Sequence, residues 1–228
     1  MAQSVVVGGS GGLGIVIARQ LAARGRSVVV TSRDPERARA AAQDLGGDAV
    51  GLAVDLTAPA SIEAALSGIG EVDALVITAV EQTVLTIADF DVDEATRAAT
   101  VKLVGYPEVV RVLHGRFTPA ASVVLFGGVA KDRPYPGSTM VTATNSAVTG
   151  LVRTLAAQIA PHRINAIHPG IVGDSPKWRE VANHPHLART PIGRLVTMDE
   201  IASATGFLLD NAGVNAQELV VDGGMLIS

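Results

Sequence analysis

Short runs of apolar, mostly β-branched residues alternate along the chain with longer segments in which apolar residues recur at helical spacing. Continuous apolar runs are typical of strands covered on both faces, whereas helical spacing indicates an element with one buried face. The pattern predicts strands at residues 4–7, 27–31, 49–54, 74–78, 122–126, 163–167 and 218–221. It predicts helices between them at residues 13–24, 35–45, 58–66, 89–113, 139–160 and 199–209.

The order of these elements predicts the fold class. Repeated alternation of strand and helix is typical of α/β proteins, in which helices cover both faces of a parallel sheet. We expect a Rossmann-type, doubly wound parallel sheet of about seven strands, formed by a single domain over residues 1–228. Residues 171–195 are interrupted by Pro and Gly and have no clean period, which predicts a substrate loop with a short helix.

Composition narrows the classes of function. Of the 228 residues, 48% are hydrophobic and 18% charged, and the net charge is −4, so we expect neither nucleic acid nor a membrane as partner. The chain has no cysteine, which excludes disulfides and thiolate catalysis, and its histidines lack metal-ligand spacing. We therefore expect no metal site. The start of the chain lacks the pattern of a signal peptide, so we expect a soluble, cytoplasmic protein.

A glycine-rich segment lies where the first predicted strand becomes the first predicted helix. It reads Gly8-Gly9-Ser10-Gly11-Gly12-Leu13-Gly14. Glycines at such a turn let the backbone approach a pyrophosphate, and the helix N-terminus supplies free N–H groups and a positive dipole end. The position between strand and helix favours nucleotide binding over an ordinary flexible turn.

Two further strand ends agree with a dinucleotide site. Ser32 and Arg33 end the second strand, where an Arg accommodates the 2′-phosphate of NADP(H); the alternative for Arg33 is a solvated surface charge. Asp55 and Leu56 close the third strand. Asp55 could accept a hydrogen bond from an adenine amino group, cap the next helix, or do both.

These motifs together resemble the short-chain dehydrogenase/reductase family over essentially the whole chain. Gly8, Gly12 and Gly14 are similar to its TGxxxGxG turn, and segment 165–170 (NAIHPG) looks like its NxxxPG segment. Segments 191–202 and 222–224 look like its PxxR…ExA region and its C-terminal DGG. The resemblance implies NADP(H) as the preferred cofactor over NAD(H), bound by Gly8, Ser10, Gly11, Gly12, Leu13, Gly14, Ser32, Arg33, Asp55, Leu56, Ala79, Pro169, Gly170 and Val172.

The family's catalytic Asn–Ser–Tyr–Lys set is where this chain departs from the pattern. Flanking residues place the Lys position at Asn145, the Tyr position at Val141, the Ser position at Gly128 and the Asn position at Lys102. Every catalytic position is therefore changed, and Val141 has no group that could carry a proton. Loss of positioned proton transfer typically lowers a rate by about 10²–10⁴.

Lys102 and Asn145 look like an exchanged pair. The family has Asn and Lys at these positions, which face one another in its fold, so the ammonium could remain near the nicotinamide ribose from the opposite helix. A chance substitution or a surface lysine is the alternative. We expect Tyr135 to be the only tyrosine near the site, and it is a candidate displaced acid, with a structural loop aromatic as its alternative.

Four other residues complete the expectations for the site. Thr142 and Thr144 are weaker candidates for a proton donor, since a hydroxyl is a poor acid at neutral pH. We expect His168 to be a strand-end residue and Trp178 to lie on the loop over the substrate cleft.

Three functions fit the sequence. The first is an NADP(H)-dependent oxidoreductase acting on a small carbonyl or related substrate with a non-standard catalytic site. The second is a catalytically inactive NADP(H)-binding pseudoenzyme, acting as a sensor or partner subunit. The third, a non-redox enzyme such as a lyase, ranks last because the glycine turn is intact. The resemblance also implies a homodimer or homotetramer.

Overall fold

Residues 2–181 and 184–228 are described by the computed structural model. Their strands are β1 (Gln3–Val7), β2 (Ser27–Ser32), β3 (Val50–Ala53), β4 (Val72–Ile77), β5 (Phe117–Phe126), β6 (Arg163–Pro169) and β7 (Glu218–Val221). All pair in parallel, in the order β3-β2-β1-β4-β5-β6-β7. The predicted parallel sheet is confirmed.

The helices connect successive strands. They are α1 (Gly12–Ala23), α2 (Pro35–Leu45), α3 (Ile62–Ala65), α4 (Val92–Ala99), α5 (Tyr106–His114), α6 (Thr139–Gln158) and α7 (Met198–Asp210). Asp34 caps α2 as the sequence indicates, because its carboxylate accepts hydrogen bonds from the backbone N–H groups of Glu36 and Arg37.

Two apolar cores cover the two faces of the sheet. Alternate residues of one strand point to opposite faces, so Val5 and Val7 pack in one core while Val6 packs in the other. The first core contains the buried faces of α5 and α6, and the second contains those of α1 and α7. This arrangement confirms the doubly wound architecture with helices on both faces.

The chain reverses direction across the sheet between β1 and β4. From β1 it moves outward through β2 to β3, then returns so that β4 pairs with the other side of β1. Connections on the two sides of this switch point leave in opposite directions and open a crevice at the carboxyl ends of the strands. The glycine turn after β1 lies there.

The prediction of one continuous α-helix at residues 89–113 is wrong. Asp91 caps α4 by accepting a hydrogen bond from the Glu94 N–H at 2.7 Å, and a π-helical segment, Thr100–Gly105, then separates α4 from α5. A π turn holds one more residue than an α turn, and apolar periodicity over so short a stretch does not reveal it. Lys102 lies within this segment.

The predicted helix at residues 58–66 is also shorter than expected. A 3₁₀ turn, Pro59–Ser61, precedes a single turn of α-helix at α3. The hydroxyls of Ser61 and Ser67 donate to the carbonyls of Ala58 and Ala64, and such local bonds compete with helix formation.

The predicted substrate loop at residues 171–195 is largely irregular. It contains one 3₁₀ turn, Leu187–Arg189, while residues 182 and 183 of the predicted loop lie outside the described residues. None of the helices within the described ranges combines the length and apolar character that a membrane crossing requires.

Candidate active site

A cleft of about 610 Å³ lies at the carboxyl ends of the strands, at the switch point between β1 and β4. Every residue that the sequence assigns to the cofactor lines it. These residues are Gly8, Ser10, Gly11, Gly12, Leu13, Gly14, Ser32, Arg33, Asp55, Leu56, Ala79, Pro169, Gly170 and Val172. Residues from distant parts of the chain thus meet in one concave surface.

The glycine turn has the geometry of a phosphate cradle. Gly12 has a φ of +51°, and a Cβ atom built on it would meet nothing within 4 Å, so the backbone faces open space there. A Cβ on Gly14 would lie 2.2 Å from the carbonyl oxygen of Gly8, so only glycine lets α1 pack this close to the turn. Within the described residues no side chain caps α1, whose first N–H groups therefore remain available to an anion.

Thr78 holds this turn in place. Its hydroxyl is within hydrogen-bond distance of the carbonyl oxygens of Val7, at 3.1 Å, and Gly8, at 3.3 Å, at the end of β1. The sequence pattern did not single out this role for Thr78, which directly follows β4. A hydroxyl at the end of the strand adjacent to the glycine turn is the signal that could have revealed it.

Arg33 is paired at the position expected for the adenosine ribose. Its guanidinium lies 3.0 Å from the carboxylate of Glu81, and both residues line the cleft. Arg37, from the first turn of α2, also lines the cleft and reaches within 3.5 Å of a Cβ built on Gly11. The guanidinium groups of Arg33 and Arg37 and the carboxylate of Glu81 therefore lie together at this end of the site. Of these three residues, the sequence had identified Arg33 alone.

Asp55 forms a local turn instead of capping a long helix. Its carboxylate accepts from both the N–H and the hydroxyl of Thr57, at 2.9 and 2.8 Å. These bonds orient the Asp55 side chain where it lines the cleft, so the predicted hydrogen bond to an adenine amino group is compatible with the structure.

Lys102 and Asn145 meet at the inner end of the cleft. The Lys102 ammonium donates a hydrogen bond to the amide oxygen of Asn145, and both side chains line the cleft while being almost fully buried. Burial lowers the pKa of Lys102 to about 8. Lys102 is therefore not a surface lysine, and the exchanged pair is in direct contact.

Gly128 provides the space that Asn145 occupies. A Cβ atom on Gly128 would lie 2.8 Å from Asn145 Nδ2, closer than real Cβ atoms approach a neighbour. A serine at this position would displace the Asn145 amide from its contact with Lys102. The residues at three of the four changed family positions are therefore mutually compatible in space.

The candidate proton donors Tyr135, Thr142 and Thr144 do not line the cleft. Val141 lines it and contributes only methyl groups, whereas Tyr135 is half exposed and is not among the lining residues. Thr142 donates to the carbonyl of Ala130, and Thr144 donates to a carbonyl of its own helix. Neither threonine is among the lining residues either.

Tyr106 corrects the expectation that Tyr135 is the only tyrosine near the site. It is fully buried at the start of α5 and lines the cleft. Its hydroxyl donates to the carbonyl of Ala79 at 2.8 Å and lies 3.3 Å from that of Phe126. Burial raises the pKa of Tyr106 far above its usual range, so the residue stays a neutral donor that joins two strand ends.

His168 lies at the end of β6, directly behind the candidate site. Its Nδ1 accepts from the N–H of Gly128 at 3.1 Å, and its Nε2 lies 3.1 Å from a carboxylate oxygen of Glu218. Burial, followed by the charge on Lys131, lowers the pKa of His168. A Cβ on Gly127 would lie 2.3 Å from the imidazole, so the ring fills the space that this glycine leaves.

Comparisons with known proteins agree with the geometry. A family model described as enoyl-(acyl carrier protein) reductase matches residues 8–226. Carbonyl reductase family member 4 of Danio rerio is 28% identical over 230 residues, covering 97% of each chain. The 3-oxoacyl-(acyl-carrier-protein) reductase FabG of Escherichia coli K12 is 31% identical over 243 residues, covering 97% of this chain and 96% of the relative. A solved structure described as a short chain dehydrogenase/reductase family protein aligns with a TM-score of 0.90 at 29% identity, covering 100% of this chain and 98% of the other.

Proposed function

The chain belongs to the short-chain dehydrogenase/reductase family of oxidoreductases, and on that premise we propose that it is an NADP(H)-dependent reductase or dehydrogenase of a small carbonyl or alcohol substrate. The observation that carries the proposal is the cleft. It brings the whole expected cofactor set together with a buried lysine at its inner end.

The residues present fit a dinucleotide. The open backbone at Gly12 and the uncapped first turn of α1 suit a pyrophosphate. Arg33 and Arg37 suit a 2′-phosphate, and the carboxylate of Asp55 suits an adenine amino group. A nicotinamide dinucleotide held by these residues would supply or accept the hydride of a carbonyl–alcohol interconversion.

The catalytic part of the site is rearranged. Lys102 takes the place of the family's lysine as the cation near the nicotinamide ribose, and Asn145 orients it. Trp178, on the loop at residues 171–195, lines the cleft and shields its substrate end from water. Assembly as a homodimer or homotetramer is part of the proposal, and the half-exposed apolar side chains of Leu103 and Val104 support it.

A second function is favoured by one specific observation. Val141 replaces the family's proton-carrying tyrosine, and Tyr135 is not among the residues that line the cleft. An NADP(H)-binding sensor or partner subunit without its own turnover would have no need of that proton. The two functions share the cofactor site and differ in whether Lys102 supports a reaction.

The cofactor site is tested by titrating the purified protein with NADPH and NADH, followed by fluorescence or calorimetry. We expect tighter binding of NADPH. Replacing Arg33 by Ala should weaken NADPH binding about 10- to 100-fold, because a hydrogen bond to a charged group contributes about 1.5–3 kcal/mol. The affinity for NADH, which lacks the 2′-phosphate, should change little.

Arg39→Ala is the matched control, since Arg39 is an exposed arginine of α2 that pairs with Glu36. It should leave both affinities unchanged. Binding of neither dinucleotide to the wild-type protein would contradict the proposed function. Equal binding of both would limit the error to the assigned role of Arg33.

A further inference from the structure

Lys102 is buried, and no opposite charge among the described residues compensates its ammonium. Its side chain is 3% exposed, and its hydrogen-bond partner, the Asn145 amide, carries no formal charge. Burying an ammonium group in this way destabilises a fold. The residue also lies in a π-helical segment, a conformation that is rare and common at functional sites. Two departures from stable structure coincide at a residue that lines the cleft, which is the pattern expected of a functional group.

The other titratable residues that line the described part of the cleft are poor proton donors to a substrate. Arg33, Arg37, Asp55 and Glu81 lie at or after the ends of β2, β3 and β4, around the expected adenosine position. The Tyr106 hydroxyl donates a hydrogen bond to the carbonyl of Ala79, and burial raises the pKa of that hydroxyl.

Lys177 is the one other amine among the residues that line the described cleft. It lies on the loop, is exposed, and stacks on the Trp178 ring with Nζ 4.8 Å from its centroid. Lys102 is the amine that is both buried and at the inner end.

We propose that Lys102 is the catalytic acid of the reaction and that its ammonium protonates the substrate oxygen in place of the tyrosine that Val141 has replaced. The inference rests on the proposed function and deepens it. A reduced nicotinamide dinucleotide supplies the hydride to the carbonyl carbon. The π electrons of the C=O bond move to oxygen, one N–H bond of the ammonium breaks and an O–H bond forms. Lys102 is left as a neutral amine and regains its proton from water when the product leaves.

Asn145 is the positioning residue for this step. Its amide oxygen accepts one N–H of the ammonium, which leaves the other N–H bonds free for a substrate, and Gly128 leaves the room that the amide needs. At neutral pH an amine whose pKa is about 8 is mostly protonated, yet it is a far stronger acid than an exposed lysine.

Two other titratable groups lie near Lys102. They are Tyr106, the first residue of α5 directly after the π-helical segment, and His168 at the end of β6, on which the charge of Lys102 has a small effect. Neither group offers a proton to a substrate in the cleft, because Tyr106 donates to Ala79 and His168 contacts Gly128 and Glu218. We therefore expect a single basic limb in the pH profile, set by Lys102.

The experiment measures kcat for reduction of diacetyl and of 9,10-phenanthrenequinone by saturating NADPH, from pH 6 to pH 10. Wild-type kcat should fall above about pH 8, as the ammonium loses its proton. Lys102→Arg keeps the positive charge but has no proton to transfer at these pH values. It should keep the NADPH affinity within about threefold and lower kcat by about 10²–10⁴.

Chemical rescue protects the test against a variant that folds poorly. Lys102→Ala opens a space for a small cation, so methylammonium should restore part of kcat, whereas guanidinium, which cannot give up a proton, should not. Lys131→Ala is the control variant, because Lys131 contacts Asp132 and Glu218 and is not among the cleft residues. It should retain wild-type turnover.

The outcomes distinguish the proposed role of Lys102 as proton donor from the proposed reductase activity. Turnover of Lys102→Arg within threefold of wild type, or equal rescue by guanidinium and methylammonium, would overturn the role of Lys102 and leave the reductase intact. If the wild-type protein binds NADPH but reduces neither carbonyl, the reductase proposal and this inference both fall. Loss of kcat in both Lys102 variants with selective methylammonium rescue supports the proton donor.

Discussion

At the residue scale, the candidate site is a set of substitutions that fit one another. The sequence pattern assigns Gly128, Asn145 and Lys102 to the family's Ser, Lys and Asn positions, and in the structure each is spatially compatible with the next. A hydrogen bond between Lys102 and Asn145, with the space for it left by Gly128, is what the proposed rearranged site requires. This fit is the reason that we favour a working site over an inactive one.

Gly128→Ser tests that fit through stability. The added Cβ would lie 2.8 Å from the Asn145 amide, and such overpacking typically destabilises a fold by about 1–3 kcal/mol. Urea unfolding should show this loss. Asn145→Ala alone should also lower stability, because it leaves the buried Lys102 ammonium unpaired. The double variant should lose less than the sum of the two single losses, because the shorter side chain removes the clash.

Gly150→Ser is the control for the previous substitution, since a Cβ on Gly150 of α6 would meet nothing within 4 Å. It should leave the free energy of unfolding nearly unchanged. Additive losses in the Gly128→Ser/Asn145→Ala double variant would mean that the two positions are not coupled.

On the proposed function, Glu81 should weaken the binding of NADPH through its ion pair with Arg33. The ion pair between them must open, at least in part, for Arg33 to bind a 2′-phosphate. An exposed ion pair contributes about 0.2–1 kcal/mol, so Glu81→Gln should tighten NADPH binding by up to about fivefold. NADH binding should not change. Calorimetric titration measures both, and weaker NADPH binding in Glu81→Gln would show instead that Glu81 itself contacts the cofactor.

At the scale of elements, the strands were easier to predict than the helices, although β5 begins at Phe117, before its predicted start at residue 122. The strands are continuous apolar runs, which have few alternatives in a sheet covered on both faces. The helix at residues 89–113 was predicted as continuous because its apolar pattern persists through Thr100–Gly105, although the backbone there is π-helical. Hydrogen-bond register within a helix leaves no trace in the spacing of apolar residues.

The end of β6 should make the stability of the fold sensitive to acid. Burial lowers the pKa of His168 in the folded protein, so the unfolded chain binds a proton more readily, with a pKa near 6.5. The free energy of unfolding should therefore fall as the pH drops below about 6.5, by at most about 1.4 kcal/mol per pH unit for this residue. His162 and His184, whose pKa values burial also lowers, add to the same trend.

Urea unfolding of wild type and His168→Gln between pH 5 and pH 7.5 isolates the contribution of His168. The variant should show a shallower pH dependence, whatever its absolute stability. The same slope in wild type and His168→Gln would contradict the assignment.

At the scale of the whole molecule, the sheet order creates the site. The reversal between β1 and β4 separates the two outgoing connections and leaves the crevice into which the glycine turn, Arg33 and Asp55 project. The same reversal places α6 and the π-helical segment at the inner end, where Lys102 meets Asn145. Residues 43 positions apart in the chain thus form one hydrogen-bonded pair.

From the sequence alone the α/β class, the parallel sheet and the residues that line the cleft could be predicted, and the reassigned catalytic positions stay a prediction. These follow from local signals: apolar periodicity, glycines at a strand end, and motifs at fixed spacing. Only the tertiary structure decided that Lys102 is buried against Asn145, that Gly128 leaves room for it, that Arg33 pairs with Glu81 and that Tyr106 joins two strand ends. Those facts depend on which distant side chains pack together, because burial and pairing are properties of the folded chain rather than of any segment of it.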